Sequence, residues 1–301
     1  MQHANAEYLV VDWGTTNFRA FALDANGQVV EQTSSNLGLM QVEDGQFAQV
    51  LESVLSQWLD NFKHLPIYMA GMVGSAQGWV NVDYVATPVD SEALAAKTHK
   101  FELPWGANGY IIPGVNHQNS AGIFDVMRGE EVQLFGLAQL LNSANFDAVF
   151  PGTHSKHIKF ADGKIQSFAS FMTGEVFGLL LNNSILGRGL PKQQDDESAF
   201  MKGVIESQTS CLTNRIFAAR THRLFQQVAD EHIADYLSGL LIGHEIRQLS
   251  AHNVLLVGGG TLCKRYQTAC ETLNKSATVY SGDECFLSGM QQLIQELANA
   301  K

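Results

Sequence analysis

The sequence predicts an α/β protein of two domains. Three observations carry this expectation. Apolar strands alternate with amphipathic helices, the pattern starts over near the middle of the chain, and the length supports two cores. The chain has 301 residues, 45% of them hydrophobic and 16% charged. Such a length and apolar content suit two domains better than one.

Residues 7–11, EYLVV, read as a buried strand. NFRAFALD follows as a second strand and GQVVEQ as a third, joined by the turn DANG. In residues 47–62 the apolar side chains Phe47, Val50, Leu51, Val54, Leu55, Trp58, Leu59 and Phe62 fall on one stripe, which predicts a helix. PIYMAGMVGS reads as a strand entering a Gly-rich loop, and NGYIIPGV as a short strand closed by Pro113 and Gly114. EEVQLFGLAQLL predicts a helix opened by acids that suit its N-terminal dipole.

The second half begins again with the strand FDAVF, the loop PGTHSK and the strands HIKFAD and KIQSFAS. Helices are expected near 172–181, 197–208 and 214–229, and over IADYLSGLLIGHEIRQL. The buried strand NVLLVGGG ends in three glycines, and a helix, the strand ATVYS and a helix near 284–298 complete the chain. Residues 11–16 (Val-Asp-Trp-Gly-Thr-Thr) align with residues 149–154 (Val-Phe-Pro-Gly-Thr-His) at a constant offset of 138 that holds to Asp24 and Asp162. Both copies are one device, a strand, a small-residue turn and a returning strand. Domains are expected at 1–143 and 144–301.

A turn of Gly, Thr and Ser exposes backbone N–H groups and hydroxyls that suit phosphate oxygens. Gly14, Thr15 and Thr16 form one such turn, and Gly152, Thr153, His154 and Ser155 the other. Asp12 beside the first turn is either a turn cap or the partner of a Mg²⁺ ion carried with the phosphates. PGTHSK lacks the second Gly and terminal Ser/Thr of a P-loop. His154 and Lys156 suit phosphate charge all the same, Lys156 being otherwise a solvated strand residue. His154 and His157 do not make a zinc site. Gly258, Gly259 and Gly260 let a flat ligand lie on the backbone, without the spacing of a dinucleotide fold. Asp125 suits a base that orients an attacking hydroxyl, or a helix N-cap. Arg128 suits a substrate carboxylate, or an ion pair with Glu130 or Glu131.

Taken in order, DWGTTNFRA, PGTHSK and VGGGT resemble the phosphate-1, phosphate-2 and adenosine motifs of the superfamily that contains actin, Hsp70 and the sugar kinases. AGMVGSAQGWV, VATPV, DVMRGEEVQLFG, FMTGEVF, DYLSGLLIGHEI and VGGGTLCKRY narrow this. They resemble the 2-dehydro-3-deoxygalactonokinase family from about residue 8 to 266. The Ile123-Phe124 pair departs from that family's pattern, and GDECFLSGM near the end carries no motif of it. The resemblance implies a two-domain ribonuclease-H-like, actin-like ATPase fold with a duplicated hairpin core and an interdomain cleft. It also implies ATP and Mg²⁺ as cofactors, and phosphorylation of 2-dehydro-3-deoxy-D-galactonate at its C6 hydroxyl. Asp125 and Asp12 become the catalytic pair, Asp12 through the metal, and Arg128, Arg19 and Glu130 the substrate-binding set. A kinase for a related acid such as 2-dehydro-3-deoxygluconate, or a superfamily member that binds ATP and a sugar without turnover, is the alternative.

The formal net charge of −11 argues against a nucleic-acid partner, because phosphate backbones need a basic face. No apolar run reaches the length of a membrane span, and the first residues lack a signal-peptide pattern. Four cysteines without metal-like spacing read as reduced structural thiols. A cytoplasmic enzyme acting on a small sugar acid is therefore expected, with a homodimer left open.

Overall fold

Strand β1 (Tyr8–Trp13) runs into the Gly-Thr-Thr turn and pairs antiparallel with β2 (Phe18–Leu23), which pairs in turn with β3 (Val29–Ser35). This is a computed structural model, and it describes residues 6–208 and 211–299. Residues 1–5, where the reading for a targeting signal began, lie outside the described residues.

Two compact units emerge. The first comprises residues 1–145, 161–167 and 283–301, and the second 146–160 and 168–282. The expected boundary at 143/144 had placed the last helix and the 161–167 turn with the second half. The last helix packs in the first unit because glycines allow its backbone to approach. A Cβ on Gly136 would sit 1.8 Å from the Cys285 carbonyl oxygen, and one on Gly289 would sit 1.9 Å from that of Val132. The turn is held by a bridge between Val89 and Ile165 and by Lys164 Nζ at 3.0 Å from Asp90.

After β3 the first unit continues with α1 (Phe47–Trp58), β4 (Ile67–Gly71), β5 (Val85–Ala86), α2 (Ser91–Ala95) and β6 (His99–Glu102). Next come β7 (Asn108–Ile111), β8 (Val115–Gln118), β9 (Phe124–Met127) and α3 (Glu130–Leu141). Its main sheet has the order β3-β2-β1-β4-β7-β6, and β5, β8 and β9 form a small second sheet. The expected α1 stripe is the buried face: Phe47, Leu51 and Leu55 pack under the sheet with Leu9, Val11 and Trp13. Each such side chain contributes roughly 1.5–3 kcal/mol by leaving water.

The chain runs on through β10 (Phe146–Phe150), β11 (Ser155–Ala161), β12 (Lys164–Phe171), α4 (Thr173–Asn183), α5 (Glu197–Glu206), α6 (Leu212–Ile216) and α7 (Ala218–Leu224). It continues with α8 (Ile233–Ile246), β13 (Asn253–Gly258), α9 (Gly260–Thr272) and β14 (Ser276–Ser281), and α10 (Gly282–Asn299) closes the chain. The helix expected at 214–229 is two helices, broken at the half-exposed Phe217. The sheet order β12-β11-β10-β13-β14 repeats the first five strands of the other sheet. Each has an antiparallel three-strand meander, with the first strand parallel to the fourth and the fourth to the fifth. The repeat read at offset 138 is thus a repeat of topology, the duplicated core of a ribonuclease-H-like fold. Among the described residues no helix is long and apolar enough to cross a membrane.

Candidate active site

Asp12 lies one residue from the end of β1, and the antiparallel register sets it opposite Arg19. The Arg19 guanidinium donates through Nη2 to Asp12 and through Nη1 to Asp283, the second residue of α10. Burial pushes the Asp12 carboxyl above its ordinary range, Arg19 works against that, and Asp283 adds to it. Arg19 is therefore engaged by two carboxylates. Asp283 was not singled out from the sequence, because nothing local marks a residue 264 positions from its partner.

The next parallel strand brings a second segment to Asp12. β4 ends at Gly71, where φ is +93°, and a Cβ there would meet the Trp13 carbonyl oxygen at 2.8 Å and Asp12 Oδ1 at 3.2 Å. Gly129 has φ +110°, and its Cβ would lie 3.6 Å from Gly71 Cα. Glycine at 71 lets the end of β4 lie against the strand that carries Asp12, and Gly129 sets the MRGEE segment against Gly71 in turn.

Asp125 is not a helix cap. It sits on β9 opposite His117 of β8, half-buried, and its Oδ1 accepts from the Val126 amide at 2.8 Å. The cap of α3 is Gly129, four residues later. His117 is itself held by the Thr87 hydroxyl, 2.7 Å from Nδ1. Arg128 is buried. Its Nη2 donates to the Val82 carbonyl at 2.7 Å and its guanidinium lies 4.3 Å from the Tyr84 ring centroid, while Nε and Nη1 have no acceptor among the described residues. Glu130 Oε2 accepts from the Arg128 amide at 3.1 Å. Glu131 is fully buried and accepts from the Gly129 amide with both oxygens. Burial and the neighbouring Glu130 push its carboxyl up to about 8.

The first turn offers a ligand few carbonyl oxygens. Those of Gly14, Thr15 and Thr16 accept from the amides of Leu39, Met40 and Gly38, and Thr15 and Thr16 are exposed. In the second unit Thr153 and His154 are exposed at the β10–β11 turn, and His154 pairs with Glu175 of α4. Ser155 is fully buried and donates to Glu245 Oε1 at 2.6 Å, so its hydroxyl braces the turn from below. Glu245 also meets His157 at 2.8 Å and the Tyr266 hydroxyl at 2.7 Å. Lys156 is buried, with Nζ 3.2 Å from the His154 carbonyl. His154 and His157 thus face different carboxylates.

Beside this turn lies a cavity of about 470 Å³, lined among others by Gly152, Thr153, Ser238, Leu262, Arg265 and Tyr266. Arg265 is fixed by Asp235 at 2.5 Å. Gly259 caps α9 and Gly260 starts it, and both face open space. The glycines do not line the cavity; side chains one turn along α9 do. Those side chains escaped the sequence reading because the helical spacing of Leu262, Arg265 and Tyr266 looks like any half-buried face.

A family model for 2-keto-3-deoxy-galactonokinase matches residues 12–293. The chain belongs to this family. The 2-dehydro-3-deoxygalactonokinase of Escherichia coli (strain K12) is 33% identical over 302 residues, spanning 98% of this chain and 99% of that one. A Rhizobium meliloti (strain 1021) relative named probable 2-dehydro-3-deoxygalactonokinase is 31% identical, over 94% and 95% of the two chains. A Sinorhizobium meliloti crystal structure assigned to the same family superposes with a TM-score of 0.87 at 31% identity, covering 96% of this chain and 98% of that one. The fold alone extends to the activator of 2-hydroxyisocaproyl-CoA dehydratase from Clostridium difficile, solved with bound ADPNP. There the TM-score is 0.51 at 12% identity, over 97% and 96% of the chains. Family members therefore share with this chain the whole span that holds Asp12, Asp125, Arg128 and Asp283.

Proposed function

We propose that this chain transfers the γ-phosphoryl group of ATP to the C6 hydroxyl of 2-dehydro-3-deoxy-D-galactonate, giving the 6-phosphate and ADP. The family match over residues 12–293 carries this reading. A cytoplasmic location fits four cysteines that form no disulfide among the described residues.

In phosphoryl transfer the protein mainly positions groups and stabilises charge. Asp125 is assigned to the acceptor hydroxyl, which it orients and deprotonates late. Its place on a strand, outside the cap of α3, leaves its carboxylate free of a capping role. Asp12 is assigned to Mg²⁺. Among the described residues no cluster of three or more His, Cys, Asp or Glu ligands gathers, so Asp12 would act as an outer partner of an ion carried with the phosphates and their waters. When bound, the ion neutralises the phosphate charge. The Gly14–Thr16 turn and the Gly152–His154 turn, with Lys156 behind the latter, are assigned to phosphate oxygens. The cavity beside Tyr266 is assigned to adenosine, whose size its volume accommodates, and Gly258, Gly259 and Gly260, leading into α9, to the approach of that ligand. Arg128 is assigned to the substrate carboxylate, with Glu130 fixing the backbone beneath it. Arg19, occupied by Asp12 and Asp283, is the weaker choice.

The test is Asp125→Asn. A positioned base is worth about 10²–10⁴-fold, so kcat should fall by that factor while calorimetry finds ATP and the sugar acid still bound. Turnover near wild type would remove Asp125 from the chemistry.

A further inference from the structure

Arg128 is 8% exposed, yet two of its three guanidinium nitrogens have no acceptor among the described residues. A buried positive group is normally paired or hydrogen-bonded throughout, so an anionic partner is missing here. The buried Glu131 feels its charge, but the groups in direct contact with the guanidinium hold it still without pairing those two nitrogens. Nη2 is tied to the Val82 carbonyl at 2.7 Å, and the plane lies over Tyr84 at 4.3 Å. Gly74 supplies the remaining wall, because a Cβ there would come 2.9 Å from Nη1 and 2.8 Å from Ile111 Cγ2. One residue on, Ser75 is 7% exposed, and its hydroxyl is another buried polar atom without a partner among the described residues.

We infer that Gly74, Ser75 and Tyr84 form with Arg128 a carboxylate-selecting pocket, which makes this kinase prefer an acid over the corresponding neutral sugar. The inference rests on the assignment of Arg128 to the substrate carboxylate and names the residues that set its selectivity. Tyr84 holds the guanidinium by its ring face, a contact a planar cation makes well. Gly74 lets the cation approach the backbone closely, and the buried hydroxyl of the next residue, Ser75, is assigned as a further donor. A carboxylate drawn to this guanidinium would supply the acceptor that Nε and Nη1 lack among the described residues. An amide at C1 cannot supply the same charge and leaves the cation buried without its partner.

The experiment compares 2-dehydro-3-deoxy-D-galactonate with its C1 amide, in the wild type and in Gly74→Ala, Ser75→Ala, Tyr84→Leu and Tyr84→Phe. Thermal melting accompanies each variant. The wild type should prefer the acid by about 10²-fold or more in kcat/KM. In Gly74→Ala and Tyr84→Leu the KM for the acid should rise about tenfold or more and the preference should shrink to match, while the amide and the KM for ATP change little. Ser75→Ala should do the same more weakly, and Tyr84→Phe should keep the preference because the ring remains. Folded variants that retain the full preference, or that lose activity equally on both substrates, overturn the pocket. If the wild type phosphorylates neither compound, the kinase reading fails separately. Calorimetric titration of the acid into the wild type and Tyr84→Leu then decides the pocket alone: a lost affinity supports it, an equal affinity overturns it.

Discussion

Arg19 holds two carboxylates of different character. Asp12 is 15% exposed and Asp283 is 52% exposed at the start of α10. An exposed ion pair is typically worth less than about 1 kcal/mol, so Asp283→Asn should change stability by no more than that in urea unfolding. Arg19→Leu is a different perturbation, because it leaves the buried Asp12 carboxylate without its counter-charge. Stranding such a group costs about 1–3 kcal/mol or more, and the two variants should separate by that margin. Equal effects would mean that Asp12 does not depend on Arg19.

Helix α3 shows how one element carries both a site and a stability signature. Its first turn contains Glu130 and Glu131, which the dipole argument treats alike, yet Glu131 alone is fully buried, with its carboxyl pushed up to about 8 from an ordinary 4.5. The folded protein thus holds this proton more tightly than the unfolded chain does. No stability is lost to this group below about pH 4.5, and stability falls as pH rises toward 8. Glu131→Gln should flatten that part of the pH–stability curve, measured by urea midpoints at intervals from pH 5 to 8. An unchanged slope would show that Glu131 is ionised in the fold. In the middle of the helix Gly136 faces α10 across a separation that admits no side chain. Gly136→Val should therefore destabilise the packing by about 3 kcal/mol or more, as overpacking of a closed contact does.

For the whole molecule, ligand binding and stability are linked. A non-hydrolysable ATP analogue with Mg²⁺ at about 100 times its Kd should stabilise the native protein by about 2.7 kcal/mol. Removing Mg²⁺ with a chelator should lower that gain in the wild type and leave the apo melting temperature unchanged. Asp12→Asn should show a smaller difference between the two conditions. A melting temperature indifferent to the metal in the wild type would contradict the assignment of Asp12.

Local pattern determined much of this protein. The two hairpin turns, helix α1, helix α3 and the buried strands β1, β10 and β13 were legible because periodicity, small-residue turns and acidic helix starts act over a few residues. The offset repeat was legible for the same reason, since both copies fold by one local rule. The small sheet was not. β5 has two residues, and β8 and β9 carry no alternating pattern, so Asp125 read as a helix neighbour until cross-strand pairing placed it opposite His117. The approach of Gly71 to Gly129, the bond from Arg19 to Asp283 and the partly satisfied guanidinium of Arg128 against Gly74 were decided only by tertiary structure. They depend on which segments meet after the chain has closed loops of tens to hundreds of residues. A glycine or an arginine has the same local propensity whether or not a partner arrives.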